Sequence, residues 1–303
     1  MNDTCVETTD AFCKEPQETQ VTSRRNAILL GSAALAGVAF GGRHAMAQTS
    51  VTDTDILNFA LNLEYLEAQF YTIATTGKTL EQTGITTTGG GGAAAGAVTV
   101  KTGAQVSFTT PLLQQLANEI AKDEQNHVNF LRSQLGTSAV AQPAIDLQTS
   151  FNALAQAAGL GSSFDPFASE TNFLLGAFIF EDVGVTAYQG AAGLISNKTY
   201  LDKAIGIHNV EAYHAGAIRT RIFQAGTAAQ TMSQAIAATR AKLDSTNNDD
   251  VGVGVNGSAS VLVPTDANAM TYSRTTTQVL SIVYGGGSNK GAFFPNGLNG
   301  TIK

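Results

Sequence analysis

Cysteine is nearly absent. The chain has 303 residues and two cysteines, Cys5 and Cys13, so no thiol lies downstream of residue 13. The rest of the chain must therefore be held by its core or by metal, because it has no disulfide to hold it. Charge is also scarce, at 14% of residues with a net charge of −7. An acidic chain with no basic stripe repels phosphate backbones, which excludes general nucleic-acid binding. Beyond the first fifty residues, no stretch offers the roughly twenty apolar residues that a membrane span requires. Histidine is rare too, with four in all. What is plentiful is apolar side chain, at 43%, and glycine, at 31 residues in local clusters. This composition predicts ordered helices broken by loops rather than a disordered chain.

The N-terminal stretch "TSRRNAILLGSAALAGVAFGGRHAMAQ" reads as an address. Arg24 and Arg25 precede a Gly/Ala-rich apolar run, and Ala45-Met46-Ala47 fits a small-x-small cleavage site. It resembles a twin-arginine signal. Residues 1–47 are expected to be removed after Ala47 and the mature chain exported to the periplasm or beyond, free of cysteine and not membrane-spanning.

Helical periodicity then recurs along the chain. Asp53 or Thr54 can cap a helix over "ILNFALNLEYLEAQFYTIATTG", which Gly77 stops. A Gly/Thr-rich insert follows, in which "AVTV" and "QVSF" around Lys101-Thr102-Gly103 predict a short β-hairpin. Pro111 opens a second helix that ends at Gly136. A connection from Pro143 holds a short helix in "LQTSFNALAQAAG". Long helices cover "SETNFLLGAFIFEDVGVTAYQGAAGLI" and about residues 198–225. "TMSQAIAATRAKLDS" makes another, and "YSRTTTQVLSIVYGG" one more within a loop-rich tail. The expected organisation is a helical domain at 48–235 and an extension at 236–303 that packs on it, since so few large apolar residues make a poor independent domain.

Within this frame the pair Glu-x-x-His occurs twice, as Glu124/His127 and Glu211/His214. On a helix, positions i and i+3 share a face, so each pair aims a carboxylate and an imidazole at one point. The other two long helices each carry Glu-x6-Tyr, as Glu64/Tyr71 and Glu181/Tyr188. The chain thus reads as a twofold repeat of helix pairs. Two of the three histidines beyond residue 47 having Glu at −3 is a coincidence of roughly one in two hundred at average usage. Glu181 sits inside "GAFIFEDVGV", where a buried carboxylate needs a partner or a metal.

This four-part pattern resembles the ferritin-like superfamily over about residues 53–226. The resemblance implies an all-α, four-helix bundle with a long crossover between its halves and a site for two metal ions. The stretch "ILNFALNLEYLEAQFY" and the tail "YSRTTTQVLSIVYGG…GAFFPNGLNG" look more narrowly like bacterial exported ferritin-like proteins related to desiccation-associated proteins. By this resemblance Glu64, Glu124, His127, Glu181, Glu211 and His214 are the metal ligands. Glu67 is a substitute ligand, a carboxylate behind the ligands, or solvated. Tyr71 and Tyr188 either hydrogen-bond the ligand carboxylates or pack in the core. His208 is expected to stand apart, and Asp123 and Asp182, rotated about 100° from their neighbours, to be solvated or salt-bridged.

Carboxylate and imidazole ligands without thiolate suit Fe or Mn. The superfamily includes enzymes acting on peroxide and on ferrous iron, so three readings stay open: a peroxide-handling enzyme, an iron-oxidising or metal-sequestering protein, and a non-catalytic stress or desiccation protein. The implied partner is a small oxidant, peroxide or oxygen. The insert and tail are candidate contacts for a homo-oligomer. The missing cysteines disfavour a rubredoxin-like electron donor within the chain.

Intact mass of the exported protein should place its N-terminus at Gln48 with no titratable thiol, and Arg24→Lys/Arg25→Lys should abolish export. Export that persists with Cys5 and Cys13 retained would contradict the address.

Overall fold

Two helices are apolar on nearly every face, and this sets the architecture, because such helices must be covered on all sides. In the computed structural model, which describes residues 51–245, 250–256 and 259–303, they are α1 (Asp53–Thr76) and α4 (Glu170–Ala192). The expected leader, residues 1–47, lies outside the described residues. Two helices with a single buried stripe flank them: α2 (Pro111–Leu135) packs on α1 and α5 (Lys198–Gln224) on α4. Together these form an all-α, ferritin-like four-helix bundle. The link from α2 to α4 is the long crossover, and it contains α3 (Thr149–Ala157). After α5 come α6 (Thr227–Leu243), packed on α4 and α5, and α7 (Thr276–Val283), packed on α4 and α6. Among the described residues no helix is long and apolar enough to cross a membrane.

The local signals explain most boundaries. Thr52, not Asp53 or Thr54, caps α1. Its Oγ1 accepts from Asp55 N, and the Asp55 carboxylate accepts from Thr52 N, a reciprocal capping box. Asp53 is instead used across the fold, accepting from the backbone N–H groups of Ser196 and Asn197 ahead of α5, each at 2.8 Å. Ser169 and Asn197 cap α4 and α5.

The expected hairpin does not form. Gly103 does make a turn, at φ 70°. However, Val106 N donates to Ala74 O at the end of α1. Strand β1 (Val98–Thr99) pairs in parallel with β2 (Ile145–Asp146) of the crossover. The insert lies so close to the crossover that a Cβ on Gly96 would sit 2.2 Å from Ala144 N. Glycine there lets the crossover edge capture β1 before "QVSF" can. The other two strands, β3 (Val255–Asn256) and β4 (Ala259–Ser260), make an antiparallel pair in the extension.

Two features seal the layers. Aromatic rings join α1, α3, α4 and the tail: Phe70 stacks on Phe173 at 5.7 Å, and Phe293 meets Phe151 and Phe180 at 5.2 and 4.9 Å. A buried chain of ions clamps the extension. Arg219 and Arg240 both bond Asp182 of α4, at 2.7 and 3.0 Å. Asp250 joins Arg240 to Arg274, at 2.6 and 2.8 Å, and Arg274 also bonds Asp244 at 2.6 Å. Removing one partner of such a buried pair typically costs about 3–5 kcal/mol.

The extension also touches α4 directly. A Cβ on Gly190 would lie 1.9 Å from Arg274 O, whereas one on Gly193 would meet nothing within 4 Å. Gly190→Ala should therefore lose about 1–3 kcal/mol by overpacking and lower Tm in thermal unfolding. Gly193→Ala, at an ordinary helical φ of −69°, should be neutral or stabilising. Equal effects would contradict this contact.

Candidate metal centre

Each helix of the bundle contributes to one point. Glu64 comes from α1, Glu124 and His127 from α2, Glu181 from α4, and Glu211 and His214 from α5, and all six are buried. The i, i+3 spacing lays Glu124 beside His127 and Glu211 beside His214 on the inward stripe of their helices. His127 Nδ1 lies 3.2 Å from Glu64 Oε2, 3.4 Å from Glu124 Oε2 and 3.6 Å from Glu211 Oε1. His214 Nδ1 lies 3.1 Å from Glu124 Oε1 and 3.5 Å from Glu181 Oε2. The donors fall into two overlapping groups, Glu64/Glu124/His127/Glu211 and Glu124/Glu181/His214. Within each, one atom per residue lies within 4.8 Å of the others. Glu124 belongs to both.

These close approaches lack hydrogen-bond geometry. Both oxygens of Glu124 and of Glu211, Oε2 of Glu64 and Glu181, and Nδ1 of both histidines are buried without a hydrogen bond. Such concentrated unpaired polarity is costly in a helix core unless cations occupy it. The titration pattern agrees. Burial, then the charge of Glu124, pushes Glu211 and Glu67 well above the usual carboxylate range. Burial opposes charge on His127, yet Glu64 and Glu124 push it up to about 12. Burial likewise raises Glu64, to about 7. These shifts share one cause, an excess of buried carboxylates over cations among the described residues. The donor set, oxygen and imidazole with no thiolate, fits hard or borderline divalent ions.

The tyrosines brace the carboxylates crosswise. Tyr71 Oη donates to Glu181 Oε1, and Tyr188 Oη donates to Glu64 Oε1. Each lone Glu is thus tied on its outer oxygen to the helix opposite, with Oε2 left for the cluster. The two bonds run in opposite order along the helices, so α1 and α4 are antiparallel here and related by an approximate dyad. Rings and hydroxyls both contribute, since Tyr71 also packs edge-on against Phe70 and Phe173.

The residues around the two donor groups also have definite places. Asp123 is not merely solvated: His214 Nε2 lies 3.2 Å from its Oδ2. This leaves Nδ1 as the inward nitrogen, an arrangement that fixes a ligand's tautomer and orientation. The dyad equivalent of Asp123 is Val210, so His127 lacks this brace. Asp182 is salt-bridged to Arg219 and Arg240. Arg132 bonds the Tyr65 hydroxyl just as Arg219 bonds Asp182. Each arginine stands eight residues after the Glu of its Glu-x-x-His, a repeat present in the sequence and overlooked there. Glu67 is not solvated but 5% exposed. His208 is half-buried and outside both donor groups, and Tyr213 is exposed.

Comparison with known proteins agrees with this geometry. The family model described as ferritin-like domain matches residues 52–224. The desiccation-related protein PCC13-62 of Craterostigma plantagineum is 28% identical over 180 residues, or 58% of this chain and 55% of that protein. The chain thus spans about half the length of that relative. The ferritin-like catalase Nec2 of Nesocodon mauritianus is 26% identical over 271 residues, covering 82% of this chain and 84% of its own. No solved structure matches the chain significantly.

Removal of the Asp123 carboxylate should loosen one side of the cluster. Asp123→Ala is expected to weaken metal retention about 10–100-fold in chelator competition, while Val210→Ala leaves it unchanged. Equal retention in both would show that the Asp123–His214 contact does not orient a ligand.

Proposed function

This chain belongs to the ferritin-like domain family, and on that premise we propose that it is a dimetal-carboxylate protein, loaded with Fe or Mn, that breaks down peroxide outside the cytoplasm. The observation that carries the reading is the pair of overlapping donor groups sharing Glu124, with their buried atoms unpaired. Glu64, Glu124, His127 and Glu211 would hold one ion, and Glu124, Glu181 and His214 the other, with Glu124 between them. Alignment with a protein named ferritin-like catalase over most of both chains supports the peroxide reaction.

Two bound ions of a redox metal would supply and take back the electrons by which two hydrogen peroxide molecules become two waters and one dioxygen. The protein's own groups prepare the place. Tyr71 and Tyr188 hold the lone carboxylates in fixed rotamers. Asp123 holds His214 with Nδ1 inward. Glu181 is 1% exposed within the buried run of α4, which keeps bulk water from it. In the described residues no lysine or arginine makes an ion pair with the six donors, so their negative charge remains available to cations.

The same reading places the chain in the periplasm or outside the cell, with residues 1–47 as a twin-arginine leader and the mature form beginning at Gln48. That location rests on the resemblance of the sequence to bacterial exported ferritin-like proteins. The likeness to a desiccation-related protein favours a second reading, in which the same metals serve stress protection or iron sequestration without turnover.

Elemental analysis of protein purified without added metal or chelator should find about two equivalents of Mn or Fe per chain. A Glu124→Ala/Glu211→Ala double variant should lose them. The loaded wild type should release oxygen from peroxide. Bound metal without oxygen release would favour the second reading, and no metal in folded protein would overturn both.

A further inference from the structure

Glu67 is a carboxylate beside the cluster with no hydrogen-bonding partner among the described residues. It is 5% exposed, and no hydrogen bond or ion pair to it occurs among the described residues. It lines a cavity of about 20 Å³ whose other walls are apolar, among them Leu63, Ile179, Val183, Ile282 and Phe293. A cavity of this size holds roughly one small molecule. Its roof is α7 and the Phe293 segment, both from the C-terminal extension. Its floor is at Gly184. A Cβ there would lie 2.4 Å from Glu211 Oε2 and 3.3 Å from Glu67 Oε1. The missing side chain therefore leaves the chamber's carboxylate and a carboxylate of the donor cluster flanking one point. The approximate dyad is broken at this place: Glu67 on α1 faces glycine on α4, where a symmetric site would have a second Glu.

We propose that this chamber is the substrate pocket of the metal centre and that Glu67 receives the substrate there by accepting its hydrogen bond. The inference rests on the peroxide reading and sharpens it. A carboxyl group keeps an acceptor oxygen whether or not it is protonated. Hydrogen peroxide has two O–H donors for it and dioxygen has none. The apolar walls favour a small neutral molecule over an ion. The extension thus roofs the pocket, in addition to covering α4.

Two substitutions and one crystallographic probe test this. Glu67→Leu removes the acceptor and Glu67→Gln keeps one. With metal content measured on each, Glu67→Leu should retain its metal and raise KM for peroxide by about tenfold or more, the effect of one lost hydrogen bond. Glu67→Gln should restore most of that loss. Xenon pressurised into wild-type crystals should appear between Glu67, Val183 and Ile282. Loss of metal in Glu67→Leu would make Glu67 a ligand and overturn the pocket, as would an unchanged KM. A wild type that takes up xenon there but, fully metallated, releases no oxygen would sink the peroxide reading and the substrate assignment with it. Absence of xenon in a catalytically active wild type would sink the chamber alone.

Discussion

The organisation of this protein follows from one electrostatic demand. Carboxylates from four helices are taken out of water into a core of leucine, phenylalanine and valine, and only two imidazoles come with them. Desolvation of that much negative charge is prohibitive without compensation. The bundle concentrates the problem at one point instead of spreading it. Its outer layer then keeps each group in place: tyrosines on the lone carboxylates, an aspartate on one histidine, and apolar helices on all sides. The cost is local, and a pair of cations can offset it.

The dyad organises how this is achieved, and its breaks are informative. Tyr71 and Tyr188 exchange bonds with Glu181 and Glu64. Arg132 and Arg219 repeat at the same offset but have different partners, the hydroxyl of the buried Tyr65 in one half and the buried Asp182 carboxylate in the other. The second half needs its aspartate because the extension attaches there, through Arg240, Asp250 and Arg274. The halves thus share a scaffold, and one of them also carries the C-terminal extension.

Much of this was legible in the sequence because helical spacing is rigid. Glu-x-x-His and Glu-x6-Tyr specify faces that any straight helix will present, and the apolar run around Glu181 announced its burial. The bundle and its long crossover followed from the family resemblance that this repeat carries. What could not be read depends on contacts between distant segments. "AVTV" and "QVSF" have hairpin chemistry, but the crossover backbone came closer to β1. Asp123 lies a hundred degrees from Glu124 on its own helix, and only the approach of α5 gives it His214. Thr52 took the cap because Asp55 could reciprocate, which freed Asp53 to tie α1 to the loop before α5. The arginines at matching offsets were visible, yet their unlike partners hid the match.

One pair of bonds has a further consequence for the order of events in synthesis. Asn62 Nδ2 donates to Asn299 O at 2.8 Å, and Asn299 N donates back to Asn62 Oδ1 at 3.1 Å, across 237 residues. Helix α1, which emerges first from the ribosome, therefore waits with an open flank until Asn299 has been made. Closure over such a sequence separation is slow, and until it occurs this flank of α1, a helix buried on most of its faces in the finished fold, remains open to whatever holds nascent chains.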